Sequence, residues 1–101
     1  MIKKDKSIIR LIRLVNNAFG SDTLLIKDHW KIDLCAIGFQ KDNRLIYIST
    51  TGCPKNHYFY ECENLLEDSD MPYIPEDSND NVFEDQLLEV ISKFLRVSRK
   101  K

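Results

Sequence analysis

Apolar residues recur at helical spacing near both ends of the chain. Residues 5–19 carry them three and four positions apart, with charged and polar residues mostly on the other side. Asp5 or Ser7 can cap the start of this segment, and Gly20 follows its last periodic residue. Residues 82–97 show the same apolar spacing. An amphipathic helix is therefore predicted at each end of the chain.

The second helix has a start signal of its own. Asn81 precedes the periodic segment, and Glu84 stands three residues later, which is the spacing of a capping box. Acidic residues fill the first turns of this segment and basic residues fill the last, an arrangement that complements the helix dipole. Asn81 is accordingly predicted as the N-cap of the C-terminal helix.

Four shorter runs between the helices have the composition of β-strands. The runs are residues 23–27, 30–40, 44–50 and 57–63. The last break between them contains Pro54, which lacks a backbone donor and favours a turn. Strands that follow each other closely in sequence usually pair as neighbours. The chain is therefore predicted to form a single α+β domain over residues 1–101, with an antiparallel meander of about four strands and both helices on one face.

The last predicted strand changes character along its length. Alternation puts Tyr58, Tyr60 and Cys62 on one face, which is the more apolar of the two. The other face carries His57, Phe59, Glu61 and Glu63. We expect the tyrosine face to be buried, whereas the opposite face ends in acids.

No period is visible between residues 64 and 80. The segment contains two prolines and many acids, and it is predicted to be a long loop. Loops of this length in compact domains tend to be functional or disordered. The apolar residues 71–74 favour a loop that is pinned to the body of the protein or offered to a partner. A plain solvated connector fits the pattern equally well.

The overall composition is typical of a folded globular protein, with 43% apolar, 31% charged and 10% aromatic residues. The three cysteines include no CxxC pair. No secretory signal or membrane span is recognisable, because arginines interrupt the apolar runs near the N-terminus. These features predict reduced thiols, a cytoplasmic location and no membrane partner.

Charge is unevenly distributed, although the net charge is only −1. Residues 61–89 contain eleven of the sixteen acids and no lysine or arginine. Lysine and arginine instead crowd residues 3–13 and 93–101. The chain is therefore acidic in its middle and basic at both ends.

Catalytic and cofactor-binding signatures are lacking. The histidines and cysteines match no structural zinc spacing, and the scattered glycines form no phosphate-binding loop. His57 could act as a general acid or base, but its neighbour Tyr58 points to the opposite face of a strand. We therefore predict a protein that is not an enzyme and uses neither a metal nor another cofactor. A small enzyme centred on His57 is kept as an alternative.

The acid-rich segment is the candidate binding surface. It repels phosphates and so disfavours nucleic acid, whereas an acidic patch attracts a basic protein partner. Apolar anchors inside a charged rim would supply the binding energy. The candidate protein-binding residues are Glu61, Glu63, Glu67, Asp68, Asp70, Tyr73, Glu76 and Asp77. The basic termini support a different function, a small nucleic-acid-binding or regulatory module.

The order of the elements and several local sequences resemble a known family. Trp30, Lys31 and Asp33 open a strand, residues 45–50 read LIYIST, and residues 58–63 read YFYECE before the final helix. This layout resembles the small cytoplasmic immunity proteins of bacterial polymorphic-toxin and contact-dependent growth inhibition systems. The resemblance implies a non-catalytic inhibitor of the toxin domain of its own system, often a basic nuclease. The acidic segment suits such a target, because its carboxylates can lie where the phosphates of the substrate would lie.

Overall fold

The computed structural model describes residues 4–20, 23–27, 34–65 and 73–99. The helices and strands within these ranges are α1 (Lys6–Phe19), β1 (Leu25–Lys27), β2 (Ala36–Lys41), β3 (Arg44–Ser49), β4 (His57–Leu65), β5 (Tyr73–Phe83) and α2 (Glu84–Leu95). The strands form one antiparallel sheet in the order β1-β2-β3-β4-β5. The predicted α+β meander with a helix at each end is therefore confirmed, and the sheet has one strand more than expected.

The N-terminal helix, α1, begins and ends close to the predicted residues. The Asp5 carboxylate accepts hydrogen bonds from the hydroxyl and the backbone N–H of Ser7, at 2.7 and 3.0 Å. Both bonds lower the pKa of Asp5, and the bond from the hydroxyl has the larger effect. The bond from the N–H also satisfies a backbone donor in the first turn of α1. At the other end, the N–H of Gly20 donates to the carbonyl of Asn16. Gly20 has a φ of 99°, which glycine adopts readily.

The C-terminal helix, α2, starts two residues later than predicted, and its N-cap is Phe83 rather than Asn81. Asn81 belongs to β5, so the strand passes directly into the helix and the predicted capping position lies within the sheet. The side-chain oxygen of Gln86 accepts a hydrogen bond from the N–H of Phe83 at 3.4 Å. Gln86, rather than Glu84, is therefore the capping-box partner of the N-cap residue.

Both helices cover the same face of the sheet. The central strands contribute Ile37, Phe39, Ile46, Ile48, Tyr58, Tyr60 and Cys62 to this face, and all are at most 5% exposed. The apolar stripes of α1 and α2 join these side chains in one buried cluster. The predicted burial of the tyrosine face of β4 is confirmed. Each fully buried side chain of this kind contributes about 1.5–3 kcal/mol, so this layer holds the helices on the sheet.

The prediction of a loop over residues 64–80 is wrong for the residues of this range that the structure describes. Residues 64 and 65 extend β4, and residues 73–80 belong to β5. β5 is the last strand in the sheet order, and its pairing with β4 is irregular at two places. Such edge strands tolerate proline and charged residues, which is why this segment shows no strand alternation.

Two other predicted strands are shorter in the structure. The run over residues 30–40 forms a strand only from Ala36, and residues 30–33 lie outside the described residues. Leu34 precedes the strand in a turn and is 52% exposed. The run over residues 23–27 is reduced to β1. The central hairpin of β2 and β3 matches its prediction more closely, with Lys41 paired to Arg44 across the turn.

Candidate functional site

Glu61 and Glu63 lie on the face of the sheet opposite the helices, which we call the outer face. They alternate along β4 with Tyr60 and Cys62, whose side chains are buried in the core. Successive outward positions of a strand are about 7 Å apart, so the two carboxylates are near neighbours. In the sheet register, Glu61 is paired with Tyr47 of β3.

Glu63 is the more enclosed of these two acids, being only 9% exposed. The neighbouring strands place Leu45 and Pro75 opposite it. Burial raises the pKa of the Glu63 carboxyl, and the negative charge of Glu61 raises this pKa further. A cation brought beside Glu63 would oppose both effects and stabilise the charged carboxylate.

Two aromatic rings lie next to these carboxylates on the outer face. Tyr47 and Phe59 meet edge to face, with ring centroids 5.9 Å apart. Both residues are partly exposed. Phe59 is two residues before Glu61 on β4, and Tyr47 is the cross-strand partner of Glu61. The outer face therefore combines apolar area with negative charge, as protein interfaces do at their anchoring residues.

The backbone of β5 brings more of the predicted residues alongside β4. Asp77 is paired with Cys62, and Tyr73 is paired with Leu65. Glu76 precedes Asp77 at one of the two irregularities in this pairing. Adjacent strands are only about 4.8 Å apart, so the backbone of these β5 acids lies beside the strand that carries Glu61 and Glu63, despite their separation in sequence.

Three of the predicted site residues, Glu67, Asp68 and Asp70, lie outside the described residues. The other members of the predicted set lie on two neighbouring strands, β4 and β5. We call the group Glu61, Glu63, Glu76 and Asp77 the acidic surface. It combines two outward positions of β4 with two backbone positions of the neighbouring edge strand.

The acidic surface has the chemistry of a binding site for cationic side chains. Carboxylates accept short, charge-assisted hydrogen bonds from lysine and arginine, which are about twice as strong as neutral ones. Among the residues that the structure describes, no three or more His, Cys, Asp or Glu side chains are grouped so that they could hold a metal ion.

A cavity of about 570 Å³ lies at the other end of β4, and we call it the loop cavity. It is bordered by the first turns of α1, by Cys35, by residues 50–56 and by the first two residues of β4. Its volume is in the range of small-molecule sites. Sequence reasoning missed the loop cavity, because segments far apart in the chain converge there. Of the residues that border the cavity, His57 is the one that the sequence analysis considered for catalysis.

His57 is held at the border of the loop cavity by two contacts. Its Nδ1 lies 2.9 Å from the carbonyl oxygen of Lys55. Its ring meets that of Phe83 edge to face, with centroids 5.4 Å apart. Tyr58 borders the same cavity but is only 1% exposed. Although neighbouring strand residues point to opposite faces, both residues reach this cavity because it lies at the end of the strand.

The basic face of α1 is the feature on which the nucleic-acid alternative depends. Lys6, Arg10 and Arg13 lie along this helix and border a shallow surface depression. The guanidinium of Arg10 contacts Oε1 of Glu84, with Nη2 at 2.8 Å and Nε at 3.0 Å. One cation of this face is therefore already paired with a carboxylate of α2, which weakens the attraction of the face for phosphate.

Within the described ranges, no helix has both the length and the apolar character needed to cross a membrane. We take two regions as candidate sites, the acidic surface on β4 and β5 and the loop cavity at the start of β4. Comparisons with protein-family models, with curated proteins and with solved structures found no match to this chain.

Proposed function

We propose that this protein is an immunity protein, which binds and neutralises the toxin domain of its own bacterial system through the acidic surface. The observation that carries the proposal is the adjacency of β4 and β5. Their pairing places Glu76 and Asp77 beside the strand that carries Glu61 and Glu63. The inhibitor has no catalytic role, and its target is a basic protein, such as a nuclease.

The outer face supports this proposal through the combination of its charges and its rings. Acidic residues accelerate encounter with a basic partner and disfavour partners of the wrong charge. Tyr47 and Phe59 lie beside Glu61 and offer apolar contact area. The lysine and arginine side chains of a nuclease bind the phosphates of its substrate. Carboxylates presented on a rigid sheet can pair with the same side chains.

Glu63 gives the proposed interface a chemical signature. Its pKa is raised by burial and by Glu61, so it binds a proton more readily than an ordinary glutamate. A lysine or arginine of the toxin placed against it would lower this pKa again. Binding would then release a proton in the pH range where the unbound carboxyl is partly protonated.

The partner can be identified from the genetic neighbourhood and then tested directly. We expect the gene immediately upstream to encode a large secreted protein with a toxic C-terminal domain. Coexpression with this protein should restore growth to cells that produce the toxic domain. The two chains should also copurify as a stoichiometric complex.

The role of the acidic surface can be tested by association kinetics with that domain. The variant Glu61→Gln/Glu76→Gln/Asp77→Asn should associate about tenfold more slowly at low salt, because long-range attraction between opposite charges is lost. The salt dependence of its association rate should also be smaller. A matched control, Asp42→Asn/Asp85→Asn/Glu89→Gln, removes three exposed acids outside this surface.

Equal association rates for the variant and its control would exclude the acidic surface as the binding site. Failure to copurify, combined with retention of nucleic acid at low salt, would instead favour the nucleic-acid-binding alternative. In that case, Arg13→Gln/Arg99→Gln should reduce the retention, because each lost phosphate contact weakens binding and its salt dependence.

A further inference from the structure

The loop cavity carries an excess of positive charge. Lys6 and Arg10 of α1 border it from one side, and Lys55 borders it from the loop between β3 and β4. Among the described residues of its lining, Asp5 is the one acid, and its carboxylate is already engaged as the cap of α1. Arg10 is already paired with Glu84, so Lys6 and Lys55 supply the positive charge that attracts an anion to this concave site, although the whole chain has a net charge of −1.

The walls of the cavity also supply apolar contact. Pro54 and Tyr58 border it, together with the half-buried residues Cys35 and Cys53. Small-molecule sites typically combine a mostly apolar lining with a few polar groups that fix the orientation of the ligand. The composition of this lining therefore suits a molecule with an apolar body and a charged group.

Several hydrogen bonds fix the shape of the cavity. The hydroxyls of Ser7 and Thr50 are 2.8 Å apart, which ties the loop to α1. The N–H of Cys53 donates to the carbonyl of Thr50 at 3.1 Å and closes a turn. Gly52 has a φ of 73° in this turn, and a Cβ atom added there would meet no atom within 4 Å. A preformed site of this kind binds without the entropic cost of ordering its loop.

Tyr58 is a buried residue of the lining, and its phenol carries a hydrogen-bond donor. It is 1% exposed, and its hydroxyl makes no hydrogen bond to any residue in the described part of the chain. Burial raises the pKa of this phenol, and the carboxylate of Glu84 raises it further, while Arg10 opposes the shift. The phenol is therefore protonated at neutral pH and able to donate. An acceptor atom in the cavity would satisfy a group that is otherwise costly to bury.

We propose that the loop cavity binds a small organic anion, with its charged group between Lys6 and Lys55 and its apolar body against Pro54 and Tyr58. This site lies at the end of β4 remote from Glu63. It is independent of toxin binding, and each of the two proposals can fail alone.

The binding of benzoate tests this proposal, because benzoate joins a carboxylate to an apolar ring. We expect it to cause saturable shifts of the backbone amide resonances of Ser7 and of residues 51–55. Affinity should fall about tenfold in Lys6→Gln/Lys55→Gln, because a charge-assisted contact is lost. The matched control, Lys93→Gln/Arg99→Gln, removes two exposed cations at a distance from the cavity and should bind benzoate as the unaltered protein does.

Two further measurements separate the contributions of charge and hydrogen bonding. Benzyl alcohol, which has the same ring without the charge, should bind about tenfold more weakly than benzoate. Tyr58→Phe should fold normally and also bind benzoate about tenfold more weakly, since it lacks only the buried donor. Absence of saturable shifts, equal binding of benzyl alcohol, or unchanged affinity in Lys6→Gln/Lys55→Gln would overturn the assignment.

Discussion

Glu63 combines two conditions that disfavour a charged carboxylate, burial and the nearby charge of Glu61, and both raise its pKa. The folded protein therefore binds the proton of this residue more tightly than the unfolded chain does. Consequently, the free energy of unfolding should fall as pH rises from the unfolded pKa of glutamate through the higher folded one. Glu63→Gln has no proton to lose and should avoid this loss of stability.

Urea unfolding of Glu63→Gln and the unaltered protein at pH 7 and below about pH 4 checks this prediction. The variant should be the more stable protein at neutral pH, and its advantage should disappear in acid. Glu61→Gln serves as a companion variant, because removing its charge should lower the pKa of Glu63 in an NMR titration. An advantage of Glu63→Gln that is independent of pH would contradict the argument.

The enclosure of Glu63 also marks a limit of sequence reasoning about single residues. The alternation of Tyr58, Tyr60 and Cys62 was enough to predict which face of β4 is buried, because the period of a strand fixes the side on which each residue lies. That period does not say what covers the opposite face. Register decides which residues lie opposite Glu63 across the sheet, namely Leu45 and Pro75, and register is not visible in the sequence of β4 alone.

At the scale of the elements, α1 is held on the sheet by its buried stripe, in which Leu11 is completely buried. Leu11→Ala should lower the free energy of unfolding by about 3 kcal/mol, because it removes buried apolar surface and leaves a cavity. Leu25 of β1 is a matched control, since it is a leucine with 58% exposure. Leu25→Ala should cost less than about 1 kcal/mol. Chemical denaturation measures both, and similar losses would show that α1 does not contribute to the core as described.

The helices and strands differ in how well the sequence predicts them. α1 has both a full apolar stripe and an acidic cap, so its bounds could be predicted almost to the residue. β5 has no alternating pattern and contains Pro75, and it pairs on one side with β4 through an irregular register. Its acids and Pro75 are the residues by which natural edge strands avoid pairing with other chains. Glu76 and Asp77, which we propose as part of the toxin-binding surface, can therefore also protect this edge.

At the scale of the whole molecule, chain topology creates both candidate sites. The acidic surface depends on β5 returning beside β4, and the loop cavity depends on α1 meeting the loop of residues 50–56. The acidic character of the middle of the chain was visible in the sequence, so the first site could be predicted in part. The loop cavity joins residues from widely separated segments, and no local sequence pattern indicates that these segments lie together.

The ion pair of Arg10 and Glu84 is a contact of this long-range kind, since it joins the first helix to the last across 74 positions of sequence. Glu84 is the more enclosed partner, with 13% of its side chain exposed against 57% for Arg10. A double-mutant cycle with Arg10→Gln and Glu84→Gln should give a coupling energy of about 0.5–1 kcal/mol, the upper part of the range for partly exposed pairs. The coupling should decrease as salt is added, because ions screen the exposed side of the pair.

The pair of Lys93 and Glu89, which is 3.7 Å apart and well exposed, is the control and should give a smaller coupling. Equal couplings for the two pairs would show that the contact between the helices rests on their apolar stripes alone.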